Sequence, residues 1–307
     1  DWSSDVCSSD LRMRNTVLAA AVTLGMLAAP TSSDAWGVAG HQMIIKAAID
    51  LLPPEVKPFY IRVRPELEVR INDPDIWRNA GWDEAPNHFV DFGVREYGKP
   101  PFVELPRDYG AALGKFGMAV LRKNGLLPWR LDEMADNLRR GFEGMGRRSP
   151  YAETDVTVFS AAASHYLQDA YQPFHATENY DGQMTGNPGV HARFETDLIV
   201  RFGPRLHLTP PAPARFRSAR DAAFDALVGG YAHVDPIIAA DKAASAGKEF
   251  YDDEYFEKFF AAVRPILEER LSAAVSATAG LIISAWEQAG RPAVSADIAR
   301  SPQRVRR

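Results

Sequence analysis

Apolar residues recur at helical spacing along most of this chain, and the stretches that carry them end at Pro or Gly. The segment 40–52 stops at Pro53-Pro54, and the segment 151–171 ends just before Pro173. The same pattern covers 109–125, 128–145, 189–202, 214–230 and 252–290, the last with Pro265 inside it. Strands would need alternation with a period of two, and no convincing run of that kind occurs. The pattern therefore predicts an all-α fold.

One stretch interrupts the helical pattern. Residues 72–108 are rich in Pro, Gly and aromatic side chains, and a loop of that length in a compact domain is usually functional or disordered. We predict a single multi-helix domain over 36–292, with this loop laid over one end and a flexible tail at 293–307.

The N-terminal segment predicts export. Residues 1–12 resemble a translated sequencing adapter, so the natural chain is expected to begin at Met13. Residues 13–35 have the charged start, apolar run and small-residue cleavage site of a secretory signal peptide. We expect signal peptidase to cut between Ala35 and Trp36 and to leave a secreted or periplasmic protein; an uncleaved membrane anchor is the alternative.

Composition narrows the function classes. The chain's only cysteine is Cys7, within the adapter-like stretch, so the exported domain is expected to be held by its core or by metal rather than by disulfides. The formal net charge of −5 argues against a generic nucleic-acid binder. It does not exclude an enzyme that uses metal to hold phosphate. No stable protein partner is implied.

Histidines and carboxylates cluster in the sequence. His165 and Asp169 are four residues apart, as are His191 and Glu195, and His175 follows the helix stop at Pro173. Residues four apart share one helix face, which is a natural way to present two zinc ligands. A single pair of this kind is more often a surface ion pair, but two pairs together favour a metal centre.

Three further residues extend this pattern. The start of the domain adds His41, and the long loop adds Asp75 and His88. His207 and His233 lie outside the pattern, and we predict structural roles for them.

The motifs WGVAGH (36–41) and HYLQDAYQPFHATEN (165–179) make the chain recognisable. From Trp36 to about Gly290 it resembles the superfamily of zinc-dependent phospholipases C and single-strand-specific zinc nucleases. This resemblance implies three zinc ions in an all-α domain. It also implies that the α-amino group and carbonyl oxygen of Trp36 bind zinc after cleavage, so that the precursor lacks one complete site.

The resemblance also implies a set of ligands for each ion. One zinc is expected on Asp75, His88, His165 and Asp169, with Asp73 as the alternative to Asp75. A second is expected on His175, His191 and Glu195. The third is expected on Trp36, His41 and Asp169, which would bridge to the first.

The residues beside the ligands receive roles from the same resemblance. Asp75 is the candidate catalytic residue, orienting or deprotonating a water. Arg78, Gln172 and Asn179 are expected to support the ligands or to fix their loops. Three Zn²⁺ ions and three carboxylates would leave a net charge of about +3, which suits a phosphodiester that gains negative charge in its transition state.

The sequence leaves two substrate classes possible, phospholipid and single-stranded nucleic acid. Glu195, the run 165–179 and the final helix favour the phospholipase branch, whereas WGVAGH favours the nuclease branch. The phospholipase's choline-binding positions are replaced by Ala39, Ile76 and Ala85, so that pocket does not carry over. The expected function is a tri-zinc hydrolase of phosphoric diesters that acts on phospholipid. The alternatives are a nuclease for single-stranded DNA or RNA and a non-catalytic zinc-binding exported protein.

Overall fold

The computed structural model describes residues 36–294, and within that range it contains helices and turns but no strand. This confirms the all-α prediction. The α-helices in chain order are α1 (Gly37–Asp50), α2 (Lys57–Arg70), α3 (Asp73–Asn79), α4 (Tyr109–Asn124), α5 (Leu127–Gly146), α6 (Ala152–Tyr171), α7 (Val190–Ala192), α8 (Leu198–Phe202), α9 (Ala219–Tyr231), α10 (Val234–Ser245) and α11 (Asp253–Gln288). Short 3₁₀ turns lie at Ala85–His88, Arg95–Tyr97, Pro173–Ala176 and Gly203–Arg205.

Some predicted segments lie outside the described residues. These are the adapter-like stretch 1–12, the signal peptide 13–35 and almost all of the tail, from 295 onward. Between residues 36 and 294, no helix is both long enough and apolar enough to cross a membrane.

Helix α6 runs through the middle of the core. All residues from 160 to 170 are buried, and they include His165, Gln168 and Asp169 beside Ala, Tyr and Leu. A helix that buries every face is surrounded by other elements. Here α5, α9 and α11 pack against it, with α2 and the 3₁₀ turn Pro173–Ala176 at its sides. The polar groups on α6 therefore face other protein atoms rather than solvent.

The predicted loop at 72–108 is partly helical, which corrects the sequence-based boundary. Its first residues form α3, which has Pro74 at its start and both Asp73 and Asp75 in its first turn. Proline pre-sets the first helical residue, and acidic side chains complement the positive end of the helix dipole. The remainder is irregular apart from the two 3₁₀ turns that begin at Ala85 and Arg95.

Other helices differ from the prediction in detail. The segment 189–202 is not one regular helix, because a π-helical turn at Arg193–Asp197 separates α7 from α8. Helix α4 is interrupted at Gly117, where φ is 74°. Helix α11 continues across Pro265. Helices α2 and α10 lie in stretches that the spacing argument did not single out.

Candidate metal centre

The end of α6 and the turn after it present three of the predicted ligands. His165 and Asp169 lie one helical turn apart on α6, and both are fully buried. The helix ends at Tyr171, after which the Gln172 side chain accepts a hydrogen bond from the Phe174 amide and caps the 3₁₀ turn. That turn carries His175 back toward α6, so that His175 Nδ1 lies 3.9 Å from Asp169 Oδ2.

Four predicted ligands converge on one point. His88 Nδ1 lies 3.0 Å from Asp169 Oδ2 and 3.7 Å from Asp75 Oδ1. His165 Nε2 lies 3.3 Å from Asp169 Oδ2 and 3.9 Å from Asp75 Oδ1. The two histidine nitrogens are themselves 3.2 Å apart. We call Asp75, His88, His165 and Asp169 the quartet.

The spacing of the quartet matches that of a metal's ligands. Zinc–nitrogen and zinc–oxygen bonds of about 2.1 Å in a tetrahedron place neighbouring ligand atoms about 3.4 Å apart. The five distances in the quartet bracket that value. Asp75 Oδ1 and Asp169 Oδ1 are buried without a hydrogen-bond partner among the described residues, and such orphaned atoms are expected where a metal belongs.

Hydrogen bonds to the histidine rings orient lone pairs toward the cluster. Ile71 O accepts a hydrogen bond from His165 Nδ1 at 2.8 Å, and His88 O accepts one from His175 Nδ1. A carbonyl oxygen can only accept, so in the neutral form of each ring Nδ1 carries the proton and Nε2 keeps its lone pair. This arrangement is typical of histidines that bind metal.

Burial and charge shift the acidities in the cluster. Burial lowers the pKa of His41 and of His175 to about 3, which keeps both rings neutral, as ligands must be. Burial also opposes a charge on His165, but Asp169 and Asp75 outweigh it and raise its pKa to about 9. Burial raises the pKa of Asp75 to about 6. A proton and a metal ion therefore compete for the nitrogen of His165.

A second group lies beside the quartet. His191 Nε2 is 2.9 Å from Glu195 Oε2, and the ring centroids of His191 and His175 are 5.0 Å apart. Gln172 Nε2 donates to Glu195 Oε2 at 2.6 Å. We call His175, His191 and Glu195 the triad.

The third predicted set is only partly assembled. His41 Nε2 lies 3.4 Å from Asp169 Oδ1, as expected for a shared carboxylate, and the His41 ring stacks on His165. The backbone nitrogen of Trp36, however, donates to Glu195 Oε2 at 3.0 Å. The Trp36 carbonyl accepts from the Gly40 amide at the start of α1. His41 instead groups with Asp75 and His165.

Three buried groups of side chains could thus each hold a metal ion. Two of them share His165: one is His41, Asp75 and His165, and the other is His88, His165 and Asp169. The third is His175, His191 and Glu195.

The remaining predicted residues lie at the edges of this centre. Arg78 Nη2 lies 3.4 Å from Asp75 Oδ1. Asn179 holds its own loop by bonds to Met184 N and Thr185 Oγ1. Asp73 pairs with Arg70 at 3.2 Å, so the geometry favours Asp75 as the loop ligand.

The two histidines left out of the pattern are not part of the centre. The backbone amide of His207 donates to Glu268, and His233 Nε2 lies 3.5 Å from Glu269.

Sequence reasoning missed two supports of the cluster. Gln168 Oε1 lies 2.7 Å from His41 Nδ1 and fixes that ring. Tyr166 packs edge-on against His88 and His165, and its hydroxyl donates to buried Glu84. Neither contact is indicated by a local sequence pattern. The one available signal was that Gln168 lies directly before Asp169 in a segment predicted to be helical.

Compared with known proteins, the chain matches no family model and has no significant match among curated protein sequences.

Proposed function

We propose that this chain is an exported zinc-dependent phosphodiesterase, similar to phospholipase C, that binds three zinc ions and hydrolyses phospholipid. The observation that carries the proposal is the quartet, whose two histidines and two carboxylates are buried at the mutual spacing of zinc ligands. The triad beside it supplies a second position with only three protein ligands, which leaves room for water or substrate oxygen. Nitrogen and oxygen donors suit zinc.

The chemistry follows from the donor set. Bound zinc ions would lower the pKa of a water and neutralise charge that develops on phosphate oxygens. Asp75, whose Oδ1 faces His88 and His165, would help to hold an ion and would orient that water or deprotonate it. Arg78, at 3.4 Å, would hold the Asp75 carboxylate in place.

The surface near Asp75 supports a lipid substrate. Ile76, the next residue, is 54% exposed. An exposed apolar side chain beside a buried charged centre suits a substrate with an apolar body and a charged head.

A nuclease is the second candidate, and a different observation favours it. The rings of Trp77 and Trp82 stack with centroids 5.9 Å apart and an interplanar angle of 12°, and Trp82 is 62% exposed. Such a platform could stack on an unpaired base.

Release of phosphorylated head groups from vesicles of mixed phospholipids tests the proposal, with cleavage of single-stranded DNA measured alongside. The protein would begin at Trp36 and be loaded with zinc. Lipid hydrolysis without DNA cleavage is the expected result. DNA cleavage without lipid hydrolysis would replace the lipase proposal by the nuclease.

A non-catalytic zinc-binding protein is the remaining alternative. Zinc binding with no hydrolysis of either substrate would identify it, and it would end both enzyme proposals.

A further inference from the structure

A buried ion pair includes Arg193, which lies between two residues of the triad in the sequence. Arg193 and Asp241 are 6% and 1% exposed, and Arg193 Nη2 lies 3.0 Å and 3.1 Å from the two oxygens of Asp241. Arg193 sits between His191 and Glu195 in the sequence, whereas Asp241 lies on α10. The pair therefore ties the triad's own segment to a distant helix.

The guanidinium of Arg193 also holds the chain that leads into His191. Its Nη1 donates to Pro188 O at 2.9 Å, and its Nη2 donates to Asn187 O at 3.4 Å. A Cβ on Gly189 would lie 2.8 Å from Nη1, and φ there is 81°. The turn before α7 is thus folded around this side chain.

Asp241 accepts further hydrogen bonds. Asn187 Nδ2 donates to its Oδ2 at 2.5 Å, and the hydroxyl of Tyr255, at the start of α11, donates to its Oδ1. Tyr255 Oη in turn accepts from Arg193 Nε at 3.0 Å. Three separate parts of the chain meet in this network.

The backbone beside the network is unusual. Arg193 begins the π-helical turn that contains Glu195. π-Helical turns are rare and are found frequently at functional sites. Burying an ion pair is likewise a poor way to gain stability compared with apolar packing. Both features are expected if the network fixes the positions of His191 and Glu195.

We propose that Arg193 and Asp241 are positioning residues that hold His191 and Glu195 at metal-binding distance. They act on the triad and leave the quartet unaffected. This inference rests on the proposed metal centre and not on the hydrolysis of any substrate.

Equilibrium dialysis of the full chain against zinc tests the proposal. The α-amino group of Trp36 is not free in the full chain, so two zinc equivalents are expected there, one on the quartet and one on the triad. Asp241→Asn keeps the size of the side chain but removes its charge. We expect one zinc equivalent to bind about 10–100-fold more weakly, as for other residues that orient ligands, and the other equivalent to bind as in the unchanged protein. Cobalt in place of zinc should show the same loss in its visible spectrum.

A matched control lies in the adjoining helix. Arg201 on α8 pairs with Asp253 at 3.0 Å, but that pair is exposed. Asp253→Asn should leave both equivalents unchanged. If Asp241→Asn does not fold, Tyr255→Phe removes a single oxygen from the network and should weaken the same equivalent by a smaller factor.

Equal weakening of both equivalents, or of neither, would overturn the positioning role. A chain that binds no zinc would overturn it together with the metal centre. Site-selective weakening in a protein that hydrolyses neither lipid nor DNA would support this inference and reject only the proposed activity.

Discussion

Replacing Asp169 by asparagine removes a carboxylate whose two oxygens face different histidines. Its Oδ2 lies 3.0 Å from His88 Nδ1 and 3.3 Å from His165 Nε2. Its Oδ1 lies 3.4 Å from His41 Nε2. One substitution should therefore affect two metal positions.

The size of the effect follows from the number of ligands. Structural zinc sites bind with about 10–16 kcal/mol over four ligands, so one ligand accounts for about 3 kcal/mol. That corresponds to a Kd about 100-fold higher for each of the two ions. The triad does not use Asp169 as a ligand and should keep its ion.

Metal analysis after dialysis against free zinc buffered about tenfold above the Kd of the unchanged chain measures this directly, because a 100-fold higher Kd leaves a site mostly empty at that concentration. For protein that begins at Trp36, we expect three zinc ions in the unchanged chain and one in Asp169→Asn, together with loss of phosphodiesterase activity. Asp73→Asn is the matched control, because Asp73 is a partly buried acid on α3 that pairs with Arg70 outside the cluster. It should keep all three ions.

Retention of all three ions by Asp169→Asn would refute the quartet as a metal site. Loss of a single ion would refute the sharing of this carboxylate. A circular dichroism spectrum like that of the unchanged chain is needed in either case, since misfolding also releases metal.

Three further predictions concern residues outside the ligand set. Gln168→Leu removes the acceptor that fixes His41, so the ion on His41 should bind about 10–100-fold more weakly; zinc titration checks this. Burial raises the pKa of Asp91 to about 7, so the folded state holds its proton more tightly and stability is lost as pH rises from about 4 to about 7. Asp91→Asn should therefore raise the melting temperature at pH 8 and leave it unchanged at pH 3.5, as scanning calorimetry would measure. A Cβ on Gly125 would lie 2.0 Å from Phe89 O at a φ of 98°, so Gly125→Ala should lower the unfolding free energy by about 2–4 kcal/mol in urea titrations.

Local chemistry made much of this molecule predictable. Helical periodicity and Pro or Gly stops are properties of short segments, so they located α1, α5 and α6 well. The pair His165 and Asp169 was equally visible, because four-residue spacing on a helix brings two side chains together whatever the rest of the fold does.

Contacts between distant segments were not predictable in the same way. Asp241 lies 48 residues from Arg193, and nothing near either residue indicates the other. The π turn was also missed, since the spacing of His191 and Glu195 fits an ordinary helix. Helix α3 was hidden by its short length, although Pro74 with two acidic neighbours is a recognisable helix start.

The burial of α6 on all sides has an evolutionary consequence. A substitution anywhere in 160–170 disturbs core packing and ligand geometry together, so few changes there can be neutral. The stretch after Asp75 is under no such double constraint, because Ile76 and Trp82 are largely in solvent. Lineages descended from such a chain should preserve the inner helix while the outer stretch diversifies.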